Sequence, residues 1–140
     1  AHYHSYEEGM AAAKAQGKPV LIDFTGFGCV NCRKMEAAVW TDPTVADMLN
    51  NQYVLISLYV DDKTPLAEPV EVSLNGQQRT LCTVGDKWSY LQASKFGANA
   101  QPYYIAIDND GRPLNHAYGF KEDVAAYIDY LQQGLNTYRR

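Results

Sequence analysis

Apolar and polar positions along the chain follow two periods. Over residues 5–16, Tyr6, Met10 and Ala13 recur at helical spacing among further alanines, which predicts a helix with Ser5 as N-cap and Gly17 as C-cap. Residues 19–25 form instead a nearly continuous apolar run, as expected of a central parallel strand buried on both faces. Gly26-Phe27-Gly28 breaks that run, and the pattern then predicts a helix over about residues 30–40. Thr41-Asp42-Pro43 ends it, and Pro43 suits the first turn of a short helix reaching Asn50. Residues 53–60 read as a second strand, closed by Asp61-Asp62. Asn75-Gly76 between two extended stretches is a strong two-residue hairpin signal. A helix is predicted over residues 86–96, capped by Gly97, and a strand over residues 103–107. A tight turn at residues 108–111 leads to residues 114–118, the expected return strand of a second hairpin. The last element, residues 121–138, places Val124, Ile128, Leu131, Leu135 and Tyr138 on one helical stripe.

Helices alternating with strands in this order predict an α/β fold, with a central mixed β-sheet, helices on both faces and a β-hairpin insertion at about residues 63–85. That insertion is the least regular part of the pattern. The length of 140 residues suits one domain, 1–140, with a core large enough to fold without disulfide staples. Hydrophobic residues make up 46% of the chain and charged residues 20%, which excludes a disordered or collagen-like chain. The net charge of -4 argues against nucleic acid as a partner. The eleven tyrosines are spread along the chain and read as core and rim residues. No stretch approaches the ~18 consecutive apolar residues of a membrane helix. The chain begins at Ala1 and shows no signal peptide, so a processed chain or a domain cut from a longer protein is expected.

The sharpest chemical feature is Cys29-Val30-Asn31-Cys32 at a strand-to-helix junction. At a helix N-terminus the first thiol meets free backbone N–H groups and the helix dipole, both of which favour a thiolate. The second thiol lies one turn on, within reach of a disulfide, and the pair suits reversible two-electron exchange. A zinc site is the main rival, but it usually needs four ligands in two close pairs. Only Cys82, His2, His4 and His116 remain, and none forms a second such pair. His2 and His4 fall in an end expected to fray, and two ordinary buried cysteines are the other alternative. Asp23 stands inside the apolar strand, where desolvation should raise its pKa and where it could handle protons or serve as a satisfied structural carboxylate. Glu36 follows Cys32 by four residues and shares its helical face, and spacing alone leaves a solvated surface role open. Arg33 and Lys34 are expected to face solvent. Pro102 reads locally as a strand-initiating proline.

The segment from Asp23 through Phe27-Gly28-Cys29 to Cys32 resembles the thioredoxin active site. Ser94-Lys95-Phe96-Gly97 followed by Gln101-Pro102 and a strand resembles the thioredoxin segment that carries a cis-proline. Nearer still is the C-terminal periplasmic domain of the DsbD family of transmembrane thiol:disulfide interchange proteins, in the versions found in Bacteroides-like bacteria. It shares a Cys-Val-x-Cys motif, a Glu at the position of Glu36 and a step like Thr41-Asp42-Pro43. The resemblance covers the chain from about Lys18 to its end.

It implies a thioredoxin-like fold and a protein-disulfide reductase. Cys29 would be the nucleophile and Cys32 the resolving thiol of a redox disulfide. Asp23 and Glu36 would tune the thiols and move protons. Phe27, Gly28, Gln101 and a cis Pro102 would bind the partner, with Gln101 offering backbone hydrogen bonds. The chain would relay electrons from a membrane-embedded donor domain to disulfide-bonded periplasmic proteins or redox domains, as in electron transport for cytochrome c biogenesis. It would sit in the periplasm as a domain of an inner-membrane protein, with no metal or other cofactor. A free-standing periplasmic oxidase or isomerase and a metal-binding module on the same scaffold are the alternatives. Gly28 where thioredoxin has Trp, and Val30-Asn31 where it has Gly-Pro, separate the chain from cytosolic thioredoxin. Cys82, in the insertion, is expected to be a lone, partly buried thiol.

Overall fold

The computed structural model describes residues 2–139. Strand β1 (His2–Tyr3) leads into helix α1 (Tyr6–Gln16), where Ser5 caps the first turn and Gly17 closes the last in the left-handed region at φ 65°. Next come β2 (Val20–Thr25), α2 (Val30–Ala38), α3 (Pro43–Asp47) and a π-helical turn at Met48–Gln52. After β3 (Val54–Tyr59) the chain forms the hairpin β4 (Pro65–Leu74) and β5 (Gln77–Thr83), then α4 (Val84–Phe96), β6 (Tyr103–Ile107) and α5 (Val124–Tyr138).

The main sheet has the order β1-β3-β2-β6. β1 and β2 both run parallel to β3, and β6 runs antiparallel to β2, so the sheet is mixed as the pattern predicts. β2 is an inner strand, and all six of its residues are buried. Its alternating side chains split the core in two. Leu21, with Leu55 and Ala106, packs against Met35 of α2 and against Tyr127 and Leu131 of α5. Val20, Ile22 and Phe24 face the opposite way, toward Ala13 of α1 and Trp88 of α4. Asp23 shares the α2 and α5 side with Leu21, because strand side chains alternate with period two.

Four expectations are corrected. Residues 2 and 3 do not fray: they pair with Leu55 and Ile56 as an edge strand. Residues 114–118 do not form a regular return strand. They touch β6 only at isolated bridges, Tyr104 with Tyr118 and, just before them, Pro113 with Ile107. The buried stripe of α5 is rotated toward Tyr127, Tyr130 and Gly134, leaving Val124, Ile128 and Tyr138 partly exposed beside Leu131 and Leu135. Tyrosines can occupy that stripe because their hydroxyls are partnered inside: Tyr130 accepts from the Ala106 N–H at 3.1 Å and Tyr127 from Trp40 at 3.2 Å. Finally, the segment that reads as least regular is a continuous antiparallel ribbon with one register shift between Pro65 and Val70. Most of its residues are exposed, so it carries little burial pattern for the sequence to display. Its turn lies where Asn75-Gly76 requires, with both residues at positive φ.

Among the described residues no helix is long and apolar enough to cross a membrane. Gly134 lets α5 pack closely on Tyr53 and on Ala106 of β6. A Cβ there would collide with the hydroxyl of Tyr53, which donates to the Leu131 carbonyl at 2.7 Å. Gly134→Ala should therefore destabilise the fold by about 1–3 kcal/mol despite its better helix propensity, read as a lower urea midpoint.

A candidate redox site at the start of the second helix

β2 ends at Thr25 and the chain turns through Gly26-Phe27-Gly28 into α2. Cys29 is the N-cap of that helix: its backbone is extended, and its Sγ accepts the Cys32 N–H at 3.2 Å. The residue type thus does at this cap what a Ser or Asp usually does, with sulfur as the acceptor. Cys29 and Cys32 are joined as a disulfide. Cys29 is half-buried and Cys32 is 1% exposed, so a reacting partner can reach only the first sulfur. When the pair is reduced, the same N–H and the positive end of α2 stabilise a Cys29 thiolate.

The loop before Cys29 is held by Asp61, just beyond β3. Its carboxylate accepts the Phe27 N–H at 2.8 Å and the Gly28 N–H at 3.1 Å. Burial pushes the Asp61 pKa up, but these backbone donors outweigh it and hold the group below its ordinary value. Phe27 is 60% exposed and stacks on Tyr59, with ring centroids 4.0 Å apart. With Val30, 65% exposed, it makes an apolar rim around Cys29. Gly28 is exposed as well, which leaves the first sulfur uncrowded where a bulkier residue would cover it.

Asp23 is 2% exposed. Desolvation raises its pKa to about 7, against the opposing pull of a hydrogen bond from Ser57 at 2.9 Å. The negative charge of Glu36 adds to the rise, and Arg33 counters it. Both belong to α2, so the helix that carries the cysteines packs its charges over the buried carboxyl. Glu36 is paired with Arg33 at 2.8 Å, with about a third of its side chain exposed. Arg33 also donates to Thr25 Oγ1 at 3.0 Å. The expectation that Arg33 faces solvent is thus corrected: it folds back over the end of β2, whereas Lys34 is exposed as expected.

The Gln101–Pro102 bond is cis. The antiparallel register pairs Phe24 with Tyr103, which brings Pro102 to the end of β2 from which the cysteine loop departs. Pro102 is buried there, and Gln101 is fixed by a hydrogen bond from its side-chain amide to Gln92 at 3.0 Å. Cys82 lies on the exposed hairpin as a free and exposed thiol, a correction to the partly buried one expected. Among the described residues, no three His, Cys, Asp or Glu side chains are grouped to hold a metal ion.

The sequence reading did not single out Ser57 or Asp61, and it met His2 only as a metal-ligand candidate in an end expected to fray. Ser57 carried a usable signal, since it interrupts the apolar strand Val54–Tyr59 as Asp23 interrupts β2. Asp61 carried none beyond its place after a strand.

A sheet of this order, with a Cys-X-X-Cys pair capping the helix after its inner strand, defines a thioredoxin-fold thiol:disulfide oxidoreductase. The family profile described as thioredoxin-like matches residues 1–81, more than half of the chain, and the chain belongs to that family. The thiol:disulfide interchange protein DsbD of Pseudoalteromonas atlantica is 32% identical over 105 residues, 69% of this chain and 18% of that protein. The chain therefore spans less than a fifth of that relative's length. Among solved structures, the C-terminal domain of Neisseria meningitidis DsbD in its oxidised form superposes with a TM-score of 0.62 at 18% identity, over 96% of this chain and 99% of that one. A thioredoxin from Thermus thermophilus gives 0.64 at 21% identity, over 94% and 84%. At those identities the two structures speak for the fold alone.

The raised Asp23 pKa makes stability depend on pH with a definite sign. The folded chain holds this proton more tightly than the unfolded one, so the contribution is intact below about pH 4 and is lost as pH climbs toward 7. Asp23→Asn should remove that loss. The variant should gain stability over the parent between about pH 4 and 7 and hold a constant advantage, on the order of 4 kcal/mol, at higher pH. Urea unfolding at a series of pH values measures it, and a pH-independent difference would contradict the assignment.

Proposed function

We propose that this chain is a reductant relay that passes electrons from a membrane-embedded donor domain to disulfide-bonded periplasmic proteins or redox domains. The observation that carries the reading is the asymmetry of the pair: an accessible Cys29 sulfur on a helix N-terminus, and a buried Cys32 one turn deeper. Residues 1–140 form one thioredoxin-like domain in this reading, with residues 63–85 as an insertion. The length of the DsbD relative beyond the matched part leaves room for the donor domain and for an inner-membrane, periplasm-facing location.

The reduced Cys29 thiolate attacks one sulfur of the partner's disulfide, and the other leaves as a thiolate. Cys32 loses its proton and attacks Cys29 Sγ. The Cys29–Cys32 disulfide forms and the partner's second sulfur departs. Two electrons have moved, both supplied by the two cysteines, and no cofactor takes part. Asp23 takes the Cys32 proton: its pKa of about 7 lets it accept and release one near neutral pH. Glu36 and Arg33 set the field in which it does so. Phe27, Gly28, Gln101 and Pro102 form the surface on which an extended partner strand lies. The exposed ring of Phe27 supplies apolar contact there.

Cys29→Ser should abolish dithiothreitol-driven reduction of insulin. Cys32→Ser should instead trap a mixed disulfide between Cys29 and the substrate. Full activity of Cys29→Ser would overturn the reading. An equilibrium potential near ~-270 mV would fit a reductant, and one near ~-120 mV an oxidase.

A further inference from the structure

The buried Asp23 carboxyl has to exchange its proton with solvent through closed packing. β3 covers one side of it, β6 the other through Tyr104, and α2 and α5 lie above with Arg33, Glu36 and Tyr127. One continuous chain of hydrogen bonds leads out. Ser57 Oγ donates to Asp23 Oδ2 at 2.9 Å, and His2 Nε2 lies 2.8 Å from the same Oγ. While Asp23 is ionised, the single Ser57 hydroxyl hydrogen points to it and His2 Nε2–H donates to Ser57; with the proton on Asp23 the order reverses, Asp23 donating to Ser57 and Ser57 to a His2 ring in its Nδ1–H tautomer. The edge-strand pairing of β1 with β3 holds His2 in place, since it sets His2 beside Leu55. His2 opens to solvent in a cleft of about 300 Å³ lined by Glu36, Trp40, Thr41, Ser57 and Tyr59. Its other near neighbour is the His4 ring, 4.7 Å away.

We propose that His2–Ser57–Asp23 is a proton wire through which the buried carboxyl discharges to the cleft, with His2 as its outer terminal. This rests on the reductant reading above. His2 acts through Asp23 and not on the sulfurs. When Cys32 gives its proton to the Asp23 carboxylate, the neutral His2 ring passes by exchange with cleft water to its Nδ1–H tautomer, Asp23 Oδ2–H donates to Ser57 Oγ, and the Ser57 proton passes to the lone pair freed at His2 Nε2. His2 becomes a cation, Asp23 is again a carboxylate accepting from Ser57, and the imidazolium releases the proton to water in the cleft. One proton enters the wire and one leaves. Partial burial and the neighbouring His4 lower the His2 pKa, which keeps the ring neutral and ready to accept near neutral pH.

The test isolates the step in which Cys32 releases its proton. Reduced protein is mixed with oxidised glutathione, quenched in acid at intervals and weighed by mass spectrometry, over a range of pH. In the parent chain the Cys29–glutathione adduct should resolve quickly to the Cys29–Cys32 disulfide. In His2→Ala and His2→Asn the adduct should accumulate, with resolution slowed by about five- to tenfold near pH 7. Added imidazole, small enough for the cleft, should restore His2→Ala. Ser57→Ala, which cuts the wire inside, should show the same slowing without rescue. Resolution within about twofold of the parent in both His2 variants, or slowing that imidazole does not reverse, would overturn the wire and leave the redox reading standing. Failure of the parent chain itself to form the intramolecular disulfide would overturn the redox reading, and the wire with it.

Discussion

A carboxyl group in the inner strand of a sheet that is covered on both faces is the constraint on which the rest of this structure turns. Taken out of water, the charged form of Asp23 is disfavoured, and nothing in the apolar core around it compensates fully. A residue that holds its proton up to about pH 7 lowers the stability of the neutral-pH fold. Its surroundings are built around it all the same. Ser57 supplies the one hydrogen bond that reaches it from β3, and α2 sets an Arg33–Glu36 pair over it.

The same strand positions the sulfurs. Because β2 is buried along its whole length, its exit is fixed, and the turn at Gly26-Phe27-Gly28 has only a short span in which to start a helix. Asp61 fixes that turn by accepting two consecutive backbone N–H groups. The cap geometry then makes the two cysteines unequal although they are the same residue. One faces the rim formed by Phe27 and Val30, and the other enters the core beside Met35. Reactivity at Cys29 and concealment at Cys32 are both consequences of where the helix begins.

The two sides of the sheet divide the work. The face toward α1 and α4 carries an apolar cluster that anchors the sheet, with the buried Gln92 of α4 hydrogen-bonded to Ala100 and Gln101. The face toward α2 and α5 mixes aliphatic residues with tyrosines whose hydroxyls are bonded internally, and it contains all of the polar side chains that meet Asp23. A polar network can exist on that face because the hydroxyls of Tyr53, Tyr127, Tyr130 and Ser57 each find a partner there. The hairpin forms a separate two-stranded sheet and adds only Leu81 to the buried hydrophobic residues.

The element order, the caps at Ser5, Gly17 and Gly97, the Asn75-Gly76 turn and the paired cysteines were all legible in the sequence. Each rests on local chemistry: a side chain capping its own helix, a turn that needs positive φ, an apolar run too long to be exposed. Asp23 was legible for the same reason, as a charge in an apolar strand. What the chain could not disclose were relations between segments far apart in sequence. That residues 2 and 3 pair with β3, that Asp61 returns to hold the cysteine loop, and that Arg33 bends back over Thr25 depend on contacts spanning from eight to more than fifty residues. The rotation of α5 and the weak return strand at residues 114–118 were decided likewise by what the sheet offered them. Local propensity has no term for such contacts, because they exist only once the sheet has closed. The sequence alone determined which residues carry the sulfur chemistry. The tertiary structure alone decided which of them is exposed, what holds the loop in front of it, and by what path the buried carboxyl meets solvent.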